Sequence, residues 1–187
     1  MPLVQIIACS TREGRQGFPV AQWMEAVARK RGDVDVELID LREVNLPLFD
    51  EPKHPRFGDY KHEHTKRWSA TIRRGDGFVF VTPEYNNSFP ASVKNAIDYL
   101  SAEWKYKPAT FVSYGGVAAG TRAVQALRPV LNCFQMVSIY EAVNIPFFMK
   151  QLKDGQFAPE EGLEDSAKVM LDKLVFWMGR QASLYER

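Results

Sequence analysis

The sequence predicts an α/β protein in which a five-stranded parallel sheet is covered by helices on both faces, a three-layer sandwich. Two observations predict it: five short apolar runs recur along the chain, and segments with helical spacing alternate with them. Since strand–helix–strand crossovers make neighbouring strands parallel and place helices over the sheet, this alternation predicts an open α/β sandwich. The whole chain, 1–187, is expected to form a single domain.

The predicted strands are short runs rich in Val, Ile and Phe, each bounded by turn-forming residues. Most are continuously apolar rather than alternating, which is typical of strands buried on both faces of a parallel sheet. The runs are 3–9, 34–41, 77–83, 109–114 and 136–143.

Helical spacing of apolar residues predicts a helix after each of the five strands. Pro129 is expected to shorten or kink the fourth of them. One long irregular stretch, 42–59, contains three prolines and is interpreted either as a functional loop or as a solvated rim. The predicted helices are 18–31, 60–74, 90–101, 121–133 and 160–182.

The composition is that of an ordinary globular protein, and its formal net charge of +1 gives no reason to expect nucleic acid or an anionic membrane as a partner. Cys9 and Cys133 fit no disulfide or metal pattern and are expected to be buried thiols in a reducing compartment. The first residues lack a basic leader, and their apolar run is too short for a signal peptide or a membrane span. We therefore expect a cytoplasmic protein.

Three loops are candidates for a ligand site. Open parallel sheets bind ligands beyond the carboxyl ends of their strands, at the point where the strand order reverses. The loops that follow the first, third and fourth predicted strands are 9–17, 83–90 and 114–120. We expect them to meet at one edge of the sheet.

The first loop combines hydroxyl groups, glycines and two arginines directly before a helix, which favours a phosphate ligand. The alternative is that its hydroxyls are turn or cap residues and its arginines lie on the surface. Neither G-x-x-x-x-G-K-[ST] nor G-x-G-x-x-G occurs, so a monophosphate such as that of FMN fits better. The candidate residues here are Ser10, Arg12, Arg15, Gln16, Gly17 and Phe18.

The other two loops carry groups suited to a flat heterocycle. A ring edge can form hydrogen bonds with backbone groups of the second loop and with Tyr85 and Asn86. Tyr114 can cover a ring face. Gly115 and Gly116 allow close approach of the backbone and offer N–H groups for negative charge on a reduced ring. The alternative is that these residues only form turns and begin a helix at Pro90. The candidates are Pro83, Glu84, Tyr85, Asn86, Ser113, Tyr114, Gly115 and Gly116.

Three segments resemble one known family. They read C-S-T-R-E-G-R, T-P-E-Y-N-N-S-F-P-A-S-V-K-N-A-I-D and V-S-Y-G-G, and they are similar to the NADPH-dependent FMN reductases, flavodoxin-like proteins that include quinone, azo-dye and chromate reductases. The tract at 103–116 resembles the quinone reductase branch. Two departures concern the first loop: Cys9 stands where relatives usually have glycine, and Arg15 and Gln16 where many have a small residue or serine.

The resemblance implies an enzyme that binds FMN, uses NADPH or NADH as co-substrate, and reduces a quinone-like molecule by ping-pong hydride transfer. Because the flavin carries the hydride, no catalytic side chain is expected. The resemblance also implies a homodimer, in some members a tetramer. The sequence adds a further argument for a dimer, since 90–106 holds more apolar and aromatic side chains than one sheet face should need. They are Val93, Ile97, Tyr99 and Trp104.

Other classes of protein fit less well. A flavodoxin-type electron carrier is usually strongly acidic, and two cysteines are too few for an iron–sulfur flavoprotein. A non-catalytic FMN-dependent sensor stays open as the alternative, since binding FMN and reacting with NAD(P)H look the same in sequence. No metal site is expected: His62 and His64 are two residues apart on a predicted helix and should point to different faces.

Overall fold

A parallel sheet forms the middle layer of the computed structural model, which describes the backbone of residues 1–185 and the side chains of residues 1–180. The strand order is β2-β1-β3-β4-β5, and a further short strand, β6, also pairs with β4. This order is that of the flavodoxin-like fold. The strands are β1 Leu3–Ala8, β2 Asp35–Asp40, β3 Gly77–Pro83, β4 Pro108–Tyr114, β5 Val137–Ser138 and β6 Val143–Ile145.

Helices cover both faces of the sheet. Apolar residues of α1 and α6 pack on one face, and those of α3, α4 and α5 pack on the other. The helices are α1 Phe18–Arg29, α2 Leu41–Val44, α3 Glu63–Arg74, α4 Ala91–Asp98, α5 Thr121–Asn132 and α6 Leu163–Tyr185. Two 3-10 helices, Pro55–Phe57 and Phe148–Gln151, and a small antiparallel ribbon, β7 Leu152–Lys153 with β8 Gln156–Phe157, complete the elements.

The strands read as continuous apolar runs because successive side chains point to opposite faces of the sheet and both faces are buried. In β1, Val4 and Ile6 belong to the α1–α6 core, while Ile7 belongs to the core under α3, α4 and α5. The register pairs Ala8 of β1 with Val81 of β3. The carboxyl ends of these strands therefore lie at one edge.

The fifth strand differs from the predicted run at 136–143, because it is two short pieces separated by four residues. The backbone leaves the ladder after Ile139, whose N–H still donates to the carbonyl of Ala109, and Tyr140 projects into solvent. The hydroxyl of Thr110 donates a 2.6 Å hydrogen bond to the carbonyl of Glu141 there, replacing a ladder bond. The second piece ends at Ile145, opposite Tyr114, two residues beyond the predicted end.

Several predicted helix boundaries also shift. Helix α5 continues through Pro129 to Asn132, so the expected shortening is wrong. One proline removes a single hydrogen bond, whereas buried residues of α5, among them Leu127 and Leu131, hold the helix on the sheet. Pro90 is the N-cap of α4 rather than a residue of its first turn, and α4 ends at Asp98.

The side chains that suggested a dimer surface are buried in the protomer. Val93, Ile97, Tyr99 and Trp104 each have no exposed surface, and the indole N–H of Trp104 donates to the carbonyl of Ile97. The argument from excess apolar surface is therefore wrong, and the homodimer stays a prediction from the resemblance alone. The two cysteines also differ from each other, because Cys9 is buried as expected whereas Cys133 is exposed.

The irregular stretch 42–59 packs against α3 and α4. The carboxylate of Glu51 accepts the backbone N–H groups of Lys61 and His62 at 2.8 and 2.9 Å, before α3 begins. His62 precedes that helix, so its ring stacks on His64 with centroids 5.2 Å apart; the expectation of different faces is wrong. Among the described residues, no group of three or more His, Cys, Asp or Glu is arranged to hold a metal ion. None of the described helices is long and apolar enough to cross a membrane.

Candidate functional site

A cavity of about 410 Å³ lies beyond the carboxyl ends of β1, β3 and β4. It is lined by eleven of the fourteen predicted site residues and by one segment that the sequence did not indicate. The lining residues are Ser10, Arg12, Arg15, Gln16, Gly17, Pro83, Glu84, Tyr85, Tyr114, Gly115, Gly116, Phe147, Phe148, Met149 and Lys150.

A larger cavity of about 680 Å³ lies between α5 and α6, at the interruption of the fifth strand. Arg128, a partly buried cation in its lining, already donates to the hydroxyl of Ser138 and the carbonyl of Ile139, and the ring centroid of Phe111 lies 5.0 Å from the guanidinium carbon. We therefore place the chemistry in the smaller cavity.

The first loop leaves an unusual number of backbone donors unused. Within the described chain, the N–H groups of 10–14, Gln16 and Gly17 have no acceptor, whereas the N–H of Arg15 donates to the carbonyl of Arg12. Gly17 is the N-cap of α1 and supplies no side-chain cap. Uncapped N–H groups at a helix start favour an anion. This donor set fits a phosphate group.

The two arginines of this loop have different partners. Arg15 forms a two-pronged ion pair with Asp40 at the end of β2, which raises the pKa of the Arg15 guanidinium above its ordinary value. Arg12 is exposed and makes no ion pair with any described residue. Of the two arginines, Arg12 is therefore the one without an ion-pair partner among the described residues, and a phosphate contact from Arg15 stays a prediction.

The loop after β3 forms a tight hairpin. The backbones of Tyr85 and Ser88 exchange two hydrogen bonds, of 2.8 and 3.0 Å, around Asn86 and Asn87, whose φ values are 50° and 65°. Asparagine tolerates this left-handed conformation, which a two-residue turn of this kind requires. Asn86 is thus a turn residue, and it does not line the cavity. The hairpin presents Tyr85 to the cavity instead.

Tyr114 lies between the first loop and the segment Phe147 to Lys150, which the sequence did not indicate. A Cβ atom added to Gly17 would lie 1.9 Å from the Tyr114 hydroxyl oxygen, so only glycine allows this approach. The Tyr114 ring also packs on Phe148, with centroids 4.8 Å apart. Burial raises the pKa of Tyr114 above its ordinary value, so the phenol is neutral at physiological pH. The side chain is 4% exposed and forms a wall of the cavity.

The two glycines after β4 are not equivalent. The N–H of Gly115 donates to the carbonyl of Ile145 at 3.2 Å, so it is already used within the sheet. The N–H of Gly116 has no acceptor among the described residues, and a Cβ atom added there would meet no atom within 4 Å. Of this pair, Gly116 is therefore the donor that remains available to a ligand.

The segment Phe147 to Lys150 forms a wall that the sequence analysis missed. The N–H groups of Phe147 and Phe148 donate to the carbonyls of Gly116 and Gly115, at 3.1 and 3.2 Å. The signal was the end of the fifth strand: a strand that ends at Ile145 places the next residues at the same sheet edge as the other loops. The predicted strand ended two residues too early for this to be recognised.

Three predicted site residues lie outside the cavity lining. Phe18 begins α1 and lies under Arg15, with 4.7 Å between the guanidinium carbon and the ring centroid. The hydroxyl oxygen of Ser113 is buried and lies 2.8 Å from both the carbonyl oxygen of Ala119 and the amide oxygen of Asn144, so its single proton is held between these two acceptors. Together with Asn86 in its turn, these residues support the loops from behind rather than facing the cavity.

Fold and site together define a flavodoxin-like protein in which a loop with unused N–H donors lies beside a cavity at the carboxyl edge of the sheet. The sequence profile of the family described as NADPH-dependent FMN reductase matches residues 2–150. The chain belongs to this family.

Relatives and solved structures agree with this assignment. The chain is 42% identical over 137 residues to an NAD(P)H-dependent FMN reductase of Schizosaccharomyces pombe, covering 72% of this chain and 68% of the relative. It is 32% identical over 148 residues to a quinone reductase of Pseudomonas putida, covering 73% and 76%. The flavoenzyme NAD(P)H:(acceptor) oxidoreductase FerB of Paracoccus denitrificans superposes with a TM-score of 0.76 at 23% identity, covering 97% of this chain and 99% of that one, which supports the fold.

Proposed function

We propose that this chain is an FMN-dependent NAD(P)H oxidoreductase that reduces quinones or similar acceptors, such as FMN, azo dyes or chromate. One observation carries the proposal: loop 9–17, with its unused N–H donors, and the glycine loop 114–120, with open space at Gly116, both line the same cavity. The first suits a phosphate and the second a flat ring. Membership of the FMN reductase family supports the same cofactor.

The residues of the first loop hold the phosphate. The N–H groups of 10–14 and the guanidinium of Arg12 are donors without competing partners in the described chain. Charge-assisted hydrogen bonds of this type are about twice as strong as neutral ones. The described residues contain one loop of unused N–H donors of this kind and no second one. One phosphate site favours FMN, which has one phosphate group, over FAD, which has two.

The ring side of the cavity is built from the glycine loop and from Tyr85 and Tyr114. When bound, FMN supplies hydride transfer between NAD(P)H and the acceptor, so the protein needs no nucleophile of its own. The chain's part is to orient the ring, to offer the N–H of Gly116 to its edge, and to leave one face accessible. Use of one face by both substrates in turn gives ping-pong kinetics.

A flat and largely apolar acceptor fits the outer rim of the cavity. Phe147 and Met149 are 49% and 57% exposed there and give this rim an apolar surface. Relatives named as quinone reductase and NADPH azoreductase act on such flat molecules, in agreement with this rim. We also propose, from family membership, that the chain acts as a homodimer in the cytoplasm.

The FMN-binding sensor without turnover is the alternative function. The test is to purify the protein, release the bound flavin with acid, identify it, and follow NADPH and NADH oxidation with a panel of acceptors. We expect FMN, and oxidation that depends on both flavin and acceptor. Released FAD would contradict the cofactor assignment, whereas bound FMN without oxidation by any acceptor would favour the sensor.

A further inference from the structure

The ion pair between Arg15 and Asp40 joins the first loop to the end of β2. Nη1 of Arg15 lies 2.5 Å from Oδ1 of Asp40, and Nη2 contacts Oδ2, so the guanidinium meets the carboxylate with two parallel bonds. Both side chains are only 11% exposed. Arrangements of this kind fix geometry as well as charge, and lysine cannot reproduce them.

The same guanidinium also fixes the backbone of the loop. Nη1 of Arg15 donates a second hydrogen bond, of 2.6 Å, to the carbonyl of Ser10. Because a trans peptide unit is planar, holding that carbonyl also fixes the direction of the next N–H group, that of Thr11. This N–H is one of the unused donors of the loop. Arg15 therefore orders the donors of the loop while its own charge is paired with Asp40.

Asp40 is itself held in place. As the N-cap of α2, its Oδ1 accepts the backbone N–H of Arg42 at 3.0 Å, at the end of a strand that pairs with β1 along its whole length. A carboxylate anchored to the sheet edge thus holds the arginine, and the arginine holds the loop. Every contact in this series joins groups of the chain itself.

We infer that Asp40 is a positioning residue that acts through Arg15 to preorganise loop 10–17 for the FMN phosphate, leaving Arg12 as the cation that meets it. The inference rests on the proposed function and adds a residue outside the cavity lining to the binding machinery. A loop that is ordered before binding does not lose conformational entropy on binding, so its affinity is higher.

A purely electrostatic role predicts the opposite sign. If Asp40 only neutralised Arg15, removing its carboxylate would release a second cation for the phosphate and tighten FMN binding. Preorganisation predicts weaker binding instead, and the loss should concern only ligands that carry the phosphate. Riboflavin has the same ring without the phosphate, so comparing the two ligands isolates the contribution of the loop.

The experiment measures the dissociation constants of FMN and riboflavin for apo-protein by quenching of flavin fluorescence. The variants are Asp40→Asn, Arg15→Met, Arg15→Lys and the double variant that combines Asp40→Asn with Arg15→Met. Asp33→Asn is the matched control, because Asp33 forms an ion pair with Arg31 away from the cavity. We expect Asp40→Asn to weaken FMN binding about tenfold and to leave riboflavin binding unchanged. In the Arg15→Met background, Asp40→Asn should have no further effect.

Arg15→Lys keeps the charge without the two-pronged geometry, so it should lose FMN affinity as well. The inference is overturned if Asp40→Asn binds FMN as tightly as the parent or more tightly, if riboflavin affinity falls equally, or if Arg15→Lys keeps full affinity. A parent that binds neither flavin contradicts the proposed function and the inference with it. A parent that binds FMN while Asp40→Asn matches it contradicts the inference alone.

Discussion

The hydroxyl oxygens of Ser10 and Tyr85 lie 2.7 Å apart and join the loop after β1 to the hairpin after β3. Ser10 is buried, and the Tyr85 side chain reaches it from a turn whose backbone is closed by two hydrogen bonds. The contact couples the part of the cavity suited to a phosphate with the part suited to a ring. It brings together two residues that are 75 positions apart in sequence.

Removing the Tyr85 hydroxyl should loosen this connection. We expect Tyr85→Phe to weaken FMN binding by about 0.5–1.5 kcal/mol, the usual net contribution of one hydrogen bond. Flavin fluorescence titration measures the change, and Tyr140→Phe serves as control because Tyr140 is almost fully exposed. Equal FMN affinity in both variants and the parent would mean that the contact has no role in binding.

Arg12→Ala should remove the arginine of the first loop that has no ion-pair partner among the described residues. Loss of a charge-assisted hydrogen bond to the phosphate should reduce FMN affinity by about 1.5–3 kcal/mol, while riboflavin affinity should not change. Arg67→Ala, on an exposed position of α3, is the matched control. An Arg12→Ala protein that retains FMN as tightly as the parent would show that the phosphate lies elsewhere.

Two glycine substitutions should have separable effects. Gly17→Ala places a methyl group against the Tyr114 ring, so the melting temperature of the apo-protein should fall. Gly116→Ala meets no protein atom within 4 Å, so the apo-protein should melt as the parent does while flavin binding weakens. Thermal unfolding with and without FMN distinguishes the two. Unchanged flavin affinity in Gly116→Ala would argue against a ring beside this glycine.

Acid should destabilise the protein in part through Glu103. Burial acts to raise the pKa of this carboxyl, but hydrogen bonds from Ser69, Tyr60 and its own backbone outweigh burial and leave the pKa below its ordinary value. A lowered folded-state pKa contributes stability above the unfolded-state pKa, and this contribution is lost as the pH falls through the folded-state pKa.

Glu103→Gln should therefore be less stable than the parent at neutral pH, and the difference should narrow in acid, below about pH 4. Denaturant unfolding at a series of pH values measures the free energy of unfolding of both proteins. Glu164→Gln, which alters a partly exposed carboxylate on α6, is the control. A difference that stays constant with pH would mean that the carboxylate charge of Glu103 makes no contribution.

Much of the fold could be predicted because the strands are buried on both faces and therefore read as apolar runs. What failed was the assignment of apolar side chains to a dimer surface: Trp104 was taken as excess apolar surface, yet its ring packs on Phe78 inside the protomer, with centroids 5.0 Å apart. Apolar content alone does not tell whether a side chain faces a partner subunit or its own core. To distinguish the two cases, one has to know how α4 and the residues after it pack against the sheet.

The site could be predicted where a loop directly follows a strand, because the parallel sheet brings such loops to one edge. It was missed at Phe147 because the interruption of the fifth strand hid where that strand ends. The pairing of Arg15 with Asp40 could not be predicted either, since ion pairs between loops depend on strand order and register. Sequence spacing contains neither.

Steady-state oxidation of NADPH by the FMN-loaded protein, with a benzoquinone as acceptor, tests the central claim most directly. Both substrate concentrations are varied, and the same series is run with NADH. We predict acceptor-dependent oxidation with parallel double-reciprocal lines, because both substrates use one accessible flavin face in turn. Intersecting lines would contradict the shared face, and the absence of NADPH and NADH oxidation with every acceptor would contradict the assignment as a reductase.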